Sequence, residues 1–253
     1  MRQYAAGELL ALGECLNPAG RPALQRALRL RDAGPLLALA RSQKEAGAEL
    51  LDVNAHLPGT EEPQLLAWAV QTVQTAGLPL LLDAAEPRAI AAGLEACGGN
   101  GVINSVNGTC ASMHALLPFA KAYGVPLVAQ PWDETGLPDT AEGRFAVAER
   151  LLNRAVQMGI PAERLWIDCL ALPRATRPEQ AAEALRAVSL VRERLGAPAL
   201  LGISNFSYGI ENRETVNREF LRRALEAGVT RPIFNPLQSG MMETLAAFRR
   251  NGQ

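Results

Sequence analysis

The chain has 253 residues, of which 48% are hydrophobic and 20% are charged, and its formal net charge is −1. This composition is typical of folded globular proteins and excludes disordered and fibrous chains. The small net charge, without a long run of one sign, argues against binding to nucleic acid or to an anionic membrane surface. No run of about 18 apolar residues could span a membrane, and Met1–Tyr4 does not begin a secretion signal. We therefore expect a cytoplasmic protein.

Short apolar runs recur along the chain, and each predicts a strand that closes on a polar residue. The first is Leu12–Asn17. Seven more each follow an amphipathic helical stretch that ends at a glycine. They are Gly47–Asn54, Gly77–Asp83, Gly101–Ser105, Gly124–Gln130, Gly159–Asp168, Gly196–Asn205 and Gly228–Asn235.

Helices and strands that alternate in this way predict a parallel sheet covered by helices, and eight units close a barrel. Glycine accepts the left-handed conformation that ends a helix, and Pro126, Pro161 and Pro198 prevent a further turn. We predict an α/β protein with a (β/α)₈ TIM barrel, formed by residues 1–253 as a single domain. A doubly wound open sheet is the alternative, but no glycine-rich phosphate-binding turn follows the first strand.

The active site of such a barrel lies at the carboxyl ends of its strands. Here nearly all the residues that close the apolar runs are amides or carboxylates. They are Asn17, Asn54 together with Asp52, Asp83, Asn104, Asp133 just past Gln130, Asp168, Asn205 and Asn235. For any single one of these positions, helix capping or a turn is as good an explanation as ligand binding. The whole ring is better explained by a mouth that reads the hydrogen bonds of a neutral heterocycle.

The few lysines and histidines exclude other chemistries. Lys44 and Lys121 are the only lysines, and both fall in predicted helices, which argues against a Schiff-base enzyme. His56 follows the second strand and could touch a ligand, whereas His114 lies in a predicted helix. No spacing unites these histidines with cysteines, so we expect no metal site.

The cysteines are widely spaced and include no C-x-x-C pair, which argues against disulfides and a zinc knuckle. They are Cys15, Cys97, Cys110 and Cys169. Cys15, Cys110 and Cys169 fall near strand ends, where they could hold zinc or act as nucleophiles. Buried, unreactive thiols are the preferred interpretation, because no histidine partner for a thiolate is evident.

Several segments resemble pterin-binding methyltransferases, a family that includes methyltetrahydrofolate:corrinoid/iron–sulfur protein methyltransferase and the folate domain of cobalamin-dependent methionine synthase. The most specific is Gly202–Gly209, with the sequence Gly-Ile-Ser-Asn-Phe-Ser-Tyr-Gly, followed by Arg213. The other segments are Gly13–Asn17, Leu51–Asn54, Ile103–Ser105 and Ile167–Asp168. The likeness extends over essentially the whole chain.

The resemblance implies that the mouth binds methyltetrahydrofolate, or tetrahydrofolate as acceptor, and exchanges a methyl group with the cobalt of a corrinoid (cobalamin) carried by a partner protein. It implies a homodimer. The spacing of the cysteines and histidines, not the resemblance, leads us to expect no metal bound by this chain. The residues implied for the folate are Asp83, Asn104, Asp168, Ser204, Asn205 and Arg213. Asn205 would be catalytic, through a hydrogen bond to the nitrogen that carries the methyl group. A second tier of candidates comprises Glu14, Asn17, Asp52, Asn54 and Asp133.

This sequence departs from the family pattern at three positions of the implied site. Tyr208 stands where members often have Gln or Phe, Cys169 where Pro is common, and Ala84 where a hydroxyl residue is usual. Dihydropteroate synthase shares the barrel and the pterin pocket, but the Lys and Arg that it uses after the seventh strand are absent from Ser204–Ser207. It is the alternative enzyme. A barrel that binds a pterin without turnover is the alternative of a different class.

Overall fold

The structure is a computed structural model that describes residues 4–251. Eight parallel strands pair in chain order, and the eighth pairs with the first to close a barrel. The strands are β1 (Leu12–Leu16), β2 (Leu50–Asn54), β3 (Leu80–Asp83), β4 (Val102–Asn107), β5 (Leu127–Gln130), β6 (Leu165–Asp168), β7 (Ala199–Gly202) and β8 (Arg231–Phe234). The predicted TIM barrel is therefore confirmed, and every strand except β4 lies within its predicted run.

Helices surround the barrel, and at least one follows each strand. They are α1 (Pro22–Leu30), α2 (Ala33–Glu45), α3 (Glu62–Val73), α4 (Pro87–Ala96), α5 (Cys110–Tyr123), α6 (Ala141–Gln157), α7 (Gln180–Leu190), α8 (Ile203–Phe206), α9 (Arg213–Glu226) and α10 (Met241–Arg250). Two 3₁₀ turns, Gln74–Ala76 and Ala162–Arg164, precede β3 and β6, and α7 continues into a π-helical turn at Val191–Leu195.

The glycines predicted to end helices adopt positive φ angles in six of the seven units, from 62° to 106°. Gly101 is the exception. The turn after α4 is made by Gly98 and Gly99, with φ of 62° and 74°. Gly101 lies so close to the side chain of Leu82 that a Cβ there would be 2.8 Å from Leu82 Cδ1. The sequence therefore identified the right segment but the wrong glycine.

The predicted end of the seventh strand is wrong. The run Gly196–Asn205 reads as one strand, but β7 stops at Gly202 and α8 begins at Ile203. Ile203 is the first residue of this helical turn and is fully buried. Its apolar side chain therefore extends the apolar run in the sequence beyond the end of the strand. Asn205 consequently lies on a short helix above the barrel and not at a strand end.

The core has two parts. The larger part packs the outer faces of the strands against the helices. The smaller part fills the barrel with one apolar residue from each strand: Leu12, Leu50, Leu81, Val102, Val128, Trp166, Leu200 and Ile233. We call these eight residues the inner layer. Because side chains alternate along a strand, the residue two positions after each of them points into the barrel one level higher.

No helix within residues 4–251 combines the length and the apolar character needed to cross a lipid bilayer. Residues 1–3, on which the expectation about a secretion signal partly rests, lie outside the described residues.

Candidate active site

A cavity of about 550 Å³ opens at the carboxyl ends of the strands. On every strand, the residue two positions beyond the inner layer lines this cavity. These residues are Glu14, Asp52, Asp83, Asn104, Gln130, Asp168, Gly202 and Asn235. We call them the polar ring, and only the glycine at position 202 leaves a gap in it. Ile233 of the inner layer also lines the cavity, and polar walls of this kind suit a ligand that carries hydrogen-bonding edges.

All six residues implied for the folate line the cavity: Asp83, Asn104, Asp168, Ser204, Asn205 and Arg213. The second-tier residues Glu14, Asn17 and Asp52 line it as well. Asn54 lies just behind the wall, where its Nδ2 donates to Asp83 Oδ2 at 3.0 Å. Asp133 lies outside the cavity, in the loop after β5, where it forms an ion pair with Arg150.

Two carboxyl groups lie on neighbouring strands at one side of the cavity. Asn104 Nδ2 donates to Asp52 Oδ1 at 3.1 Å. Burial raises the pKa of Asp52 well above its ordinary value, and the carboxylate of Asp83 raises it further. Burial also raises the pKa of Asp83 to about 6, although the hydrogen bond from Asn54 opposes the shift. Burial in the cavity therefore disfavours these negative charges, and a ligand with N–H donors would compensate them.

Asp168 lies on the opposite side of the polar ring, and its carboxylate is held by the backbone of the loop that follows β6. The amide of Leu170 donates to Asp168 Oδ1 at 3.0 Å. Burial raises the pKa of Asp168 to about 6, and hydrogen bonds from Leu170 and Gln130 limit this rise. Gln130 Oε1 accepts from Trp132 Nε1 at 3.0 Å, which fixes the orientation of the amide and leaves Gln130 Nε2 for Asp168.

Glu14 enters the cavity from a bulge in β1. The register of β1 against β2 shifts between Gly13 and Leu16. Gln43, a fully buried residue of α2, accepts the backbone N–H of Cys15 at 2.9 Å and so caps the bulge. Glu14 then accepts from Ser204 Oγ at 2.6 Å. The bulge aims the carboxyl group at the loop after β7, because an added residue redirects the side chains of a strand.

Gly13→Ala should destabilise the protein through this bulge. A Cβ at position 13 would lie 2.5 Å from Gln43 Oε1 and 3.2 Å from Leu51 Cδ2, both inside the packed wall. Overpacking of this kind costs about 1–3 kcal/mol. Chemical denaturation measures the loss, and Gly7→Ala is the matched control, because a Cβ there meets nothing within 4 Å. Equal stability of the two variants would contradict this role of the bulge.

Asn205 lies at the rim of the cavity and is exposed. Among residues 4–251, we find no hydrogen bond to its carboxamide. It does not cap α9, since Asn212 occupies that position. The turn beneath it is held by Arg213, whose Nη2 donates to Ser204 O at 3.0 Å and whose Nε donates to Ser207 Oγ at 3.0 Å. A free carboxamide on a fixed turn can rotate toward a ligand.

The cavity also contains side chains that the sequence did not single out, Arg21, Asn217 and Gln238, together with Tyr208, which was named only as a departure from the family pattern. Arg21 donates from Nη1 to Cys15 O at 2.8 Å, beside Glu14. Asn217, a buried residue of α9, donates to Gln238 Oε1 at 3.0 Å. Tyr208 is 67% exposed at the rim. Alternation along the strands would have found Gln130, but no strand pattern points to these four, which come from loops and helices.

The lysines and histidines lie away from the cavity wall. Lys44 is in α2, where its Nζ donates to Ala76 O at 2.7 Å, and Lys121 is in α5. His114 also lies in α5. His56 Nδ1 is 3.6 Å from Glu62 Oε2. The positions predicted for the lysines and histidines are therefore confirmed.

The cysteines are free thiols. Cys15 and Cys169 are buried, and burial raises the pKa of both thiols, which is the reverse of an activated nucleophile. Cys110 is exposed at the start of α5. Within residues 4–251, no group of three or more His, Cys, Asp or Glu side chains is arranged to hold a metal ion.

Residues 13–234 match the sequence profile of the family described as pterin binding enzyme. The chain belongs to this pterin-binding family. The match runs from the glycine of the β1 bulge to the last residue of β8, so it includes the inner layer except Leu12 and the polar ring except Asn235.

Individual relatives add detail. The chain is 28% identical to methylcorrinoid:tetrahydrofolate methyltransferase of Eubacterium limosum over 243 residues, 94% of this chain and 89% of that protein. It is 33% identical to methionine synthase of Mycobacterium leprae over 237 residues, 87% of this chain and 20% of that protein. It is 29% identical to methionine synthase of Mycobacterium tuberculosis over 257 residues, 96% of this chain and 22% of that protein. The chain thus spans about a fifth of the methionine synthases.

Solved structures support the fold of this pterin-binding chain. Dihydropteroate synthase from Thermus thermophilus has a TM-score of 0.74 at 22% identity, covering 98% of this chain and 96% of that chain. Dihydropteroate synthase from Yersinia pestis, solved with a pterine-sulfa conjugate, has a TM-score of 0.75 at 17% identity, covering 99% and 98%. At this level of identity the likeness shows a shared barrel.

Proposed function

We propose that this pterin-binding chain transfers a methyl group between a reduced folate and the cobalt of a corrinoid that a partner protein carries. The observation that carries the proposal is the combination of buried carboxyl groups at the base of the cavity with a free carboxamide, Asn205, at its rim. The relative from Eubacterium limosum, which matches along nearly its full length, supports the same reaction.

Three residues of the polar ring suit the pterin. A pterin edge has adjacent N–H donors that one carboxylate accepts as a pair. Asp83 and Asp168, each with a pKa of about 6, are mostly ionised at neutral pH and can each accept such a pair. Asn104 already donates its amide to Asp52, so its Oδ1 is left to accept from the ligand. We propose that these three residues bind and orient the ring.

The chemistry requires help at the nitrogen that carries the methyl group. When the C–N bond breaks, that nitrogen would keep the bonding electron pair and take up a proton from solvent, while Co(I) of the partner's corrinoid would supply the pair for the new bond to the methyl carbon. The corrinoid of the partner supplies the metal that receives the methyl group. Asn205 can donate a hydrogen bond to the nitrogen as its electron density rises, which stabilises the transition state more than the ground state.

Gly202→Ala should slow the transfer with little loss of stability. A Cβ at position 202 would lie 2.7 Å from Asn205 Nδ2, the mobile end of an exposed side chain, which can swing aside. Misplacing a catalytic group by about 1 Å costs up to about 10²-fold in rate, so we expect a decrease of about 10- to 100-fold. Single-turnover kinetics measure it. In an Asn205→Ala background the same substitution should have no further effect, and a full second decrease would contradict the explanation.

Dihydropteroate synthesis is the second candidate, because the structural neighbours carry that name. Those enzymes, by the family pattern, use a lysine after the seventh strand. Here Ser204–Ser207 follows β7, and neither Lys44 nor Lys121 lines the cavity. Because no lysine lies in Ser204–Ser207 and neither lysine lines the cavity, the site favours methyl transfer over dihydropteroate synthesis.

The deciding experiment adds the protein to methyltetrahydrofolate and Co(I) cobalamin under anaerobic, reducing conditions and follows the spectrum of methylcobalamin. We expect its formation to depend on the protein. A parallel reaction with 4-aminobenzoic acid and an activated dihydropterin tests for 7,8-dihydropteroate, whose formation would favour the second candidate. Saturable folate binding without either product would instead make the chain a pterin-binding barrel that does not catalyse transfer.

A further inference from the structure

A buried arginine lies behind the cavity wall and does not line it. Arg144 is on α6 and is 1% exposed. Buried arginines are rare, because the guanidinium has five donors that must all find acceptors. The resemblance to pterin-binding methyltransferases implied no role for this residue. Its contacts therefore need an explanation of their own.

The guanidinium joins two loops at the mouth of the barrel. Its Nη1 donates to Cys169 O at 2.8 Å and to Leu170 O at 3.0 Å. Its Nε donates to Pro138 O at 3.1 Å, in the loop after β5. Its Nη2 donates to Gln180 Oε1, and Gln180 in turn donates to Asp139 O at 3.1 Å.

The loop that Arg144 holds is the one that controls Asp168. Leu170 has a φ of 58°, in the left-handed region that is uncommon for leucine. Such a conformation persists when the surrounding structure imposes it. In that conformation the Leu170 amide donates to Asp168 Oδ1, while the Leu170 carbonyl accepts from Arg144. Leu170 therefore connects the two side chains: its carbonyl accepts from Arg144, and its amide donates to the carboxylate of Asp168.

The arginine also acts on Asp168 by its charge. The titratable groups that line the cavity with Asp168 include the carboxyls of Glu14 on β1, Asp52 on β2 and Asp83 on β3, and the guanidinium of Arg213 lies at the rim. Arg144 on α6 is the cation that lowers the pKa of Asp168. Arg144 itself faces Glu183 on α7 and Asp139 in the preceding loop.

We propose that Arg144 is a positioning residue for Asp168. It clamps the loop after β6 so that the carboxylate is aimed into the cavity, and its positive charge favours the ionised form that accepts N–H donors. The proposal rests on the function proposed above, since it concerns the group that would hold the pterin.

The test compares variants of the full chain by titration calorimetry with methyltetrahydrofolate from pH 5 to pH 8.5. Affinity should fall in acid as Asp83 and Asp168 are protonated, and losing a nearby cation raises the pKa of a carboxyl group, here that of Asp168. In Arg144→Met the midpoint of this fall should therefore move to higher pH, through the Asp168 step. At pH 8.5 Asp168 is ionised in both proteins. We expect the affinity of Arg144→Met to be about tenfold lower than that of the wild type there, because the loop no longer orients the carboxylate.

Arg144→Lys separates the charge from the clamp. A lysine keeps the cation but lacks the planar fork that reaches several carbonyls, so the midpoint should stay near that of the wild type while the affinity at pH 8.5 still falls. Arg231→Met is the matched control. Arg231 is also fully buried and donates to backbone carbonyls, but on β8 at the opposite end of the barrel. It should lower stability without moving the midpoint.

A ligand-free measurement distinguishes failure of this inference from failure of the proposed function. The ¹³C NMR titration of the Asp168 carboxyl group, assigned with Asp168→Asn, should shift upward in Arg144→Met. If the wild type does not bind methyltetrahydrofolate, the proposed function fails and this titration still decides. A folded Arg144→Met with an unchanged titration and unchanged affinity at pH 8.5 would overturn the inference. If that variant does not fold, wild-type affinity of Arg144→Lys at pH 8.5 would overturn it.

Discussion

Asn205→Ala is expected to slow methyl transfer by about 10²–10³-fold, while the affinity for methyltetrahydrofolate falls by about tenfold at most. The two effects differ because the leaving nitrogen is a weak acceptor in bound folate and becomes strongly basic as the C–N bond breaks. The carboxamide is exposed at the rim and lies on a turn that Arg213 holds, so its removal leaves the fold intact.

Single-turnover rates, folate affinity and Tm measured on one preparation test this expectation. Asn153→Ala is the control, because Asn153 is an exposed asparagine on α6, outside the cavity. Asn205→Asp adds a second comparison, since an ionised carboxylate accepts hydrogen bonds but cannot donate one. A rate for Asn205→Ala within about threefold of the wild type, which is under 1 kcal/mol, would refute a catalytic role.

Asp168→Asn is expected to weaken folate binding about 10- to 150-fold and to stabilise the ligand-free protein at pH 8. Binding weakens because an amide accepts fewer N–H donors than a carboxylate and has no charge. Stability rises because the folded protein, which raises the pKa of Asp168 to about 6, disfavours the ionised carboxylate relative to the unfolded chain.

The sign of the stability change depends on pH. The unfolded pKa of an aspartate is about 3.9, so the folded state binds a proton more tightly than the unfolded state does. The resulting stabilisation is fully present below about pH 4 and is lost as the pH rises through about 6. Because Asp168 faces an open cavity, solvent screening limits the gain of Asp168→Asn at pH 8 to about 1–2 kcal/mol.

Denaturation curves at pH 4 and pH 8 measure this gain, which should be present only at the higher pH. Asp133→Asn is the contrasting variant. Hydrogen bonds from Thr135 and Arg150 lower the pKa of Asp133 to about 2, so its replacement should destabilise the protein at pH 8. It should leave folate affinity unchanged, because Asp133 lies outside the cavity. A loss of stability at pH 8 in Asp168→Asn would contradict the argument.

Much of the cavity wall could be predicted from the sequence, because it follows from the alternation of side chains in strands. Asp83 and Asp168 close short strands, and each stands two residues after an apolar residue of the inner layer. In a closed barrel that spacing fixes both the direction and the height of the side chain. The roles of these residues in binding remain predictions, but their convergence on one cavity is a property of the fold.

The parts that sequence reasoning missed depend on loops, where no period fixes a direction. Asp133 follows β5 closely in the chain, yet the loop turns it toward Arg150. Asn217 reaches the cavity from the middle of α9, and its neighbours in the sequence give no sign of this. Arg144 reads as an ordinary surface arginine of an amphipathic helix, and only the packed structure shows that it is buried.

The inner layer has a consequence for how the ligand preference of this barrel can change. Trp166 stands two residues before Asp168, and Val102 two residues before Asn104, so the inner layer lies one level below the polar ring, and its Ile233 lines the cavity itself. A substitution that deepened the pocket for a larger heterocycle would also remove packing from the centre and lower the melting temperature. New specificities should therefore arise more easily at the rim, where Tyr208 is surrounded by solvent and a change of size leaves the barrel intact.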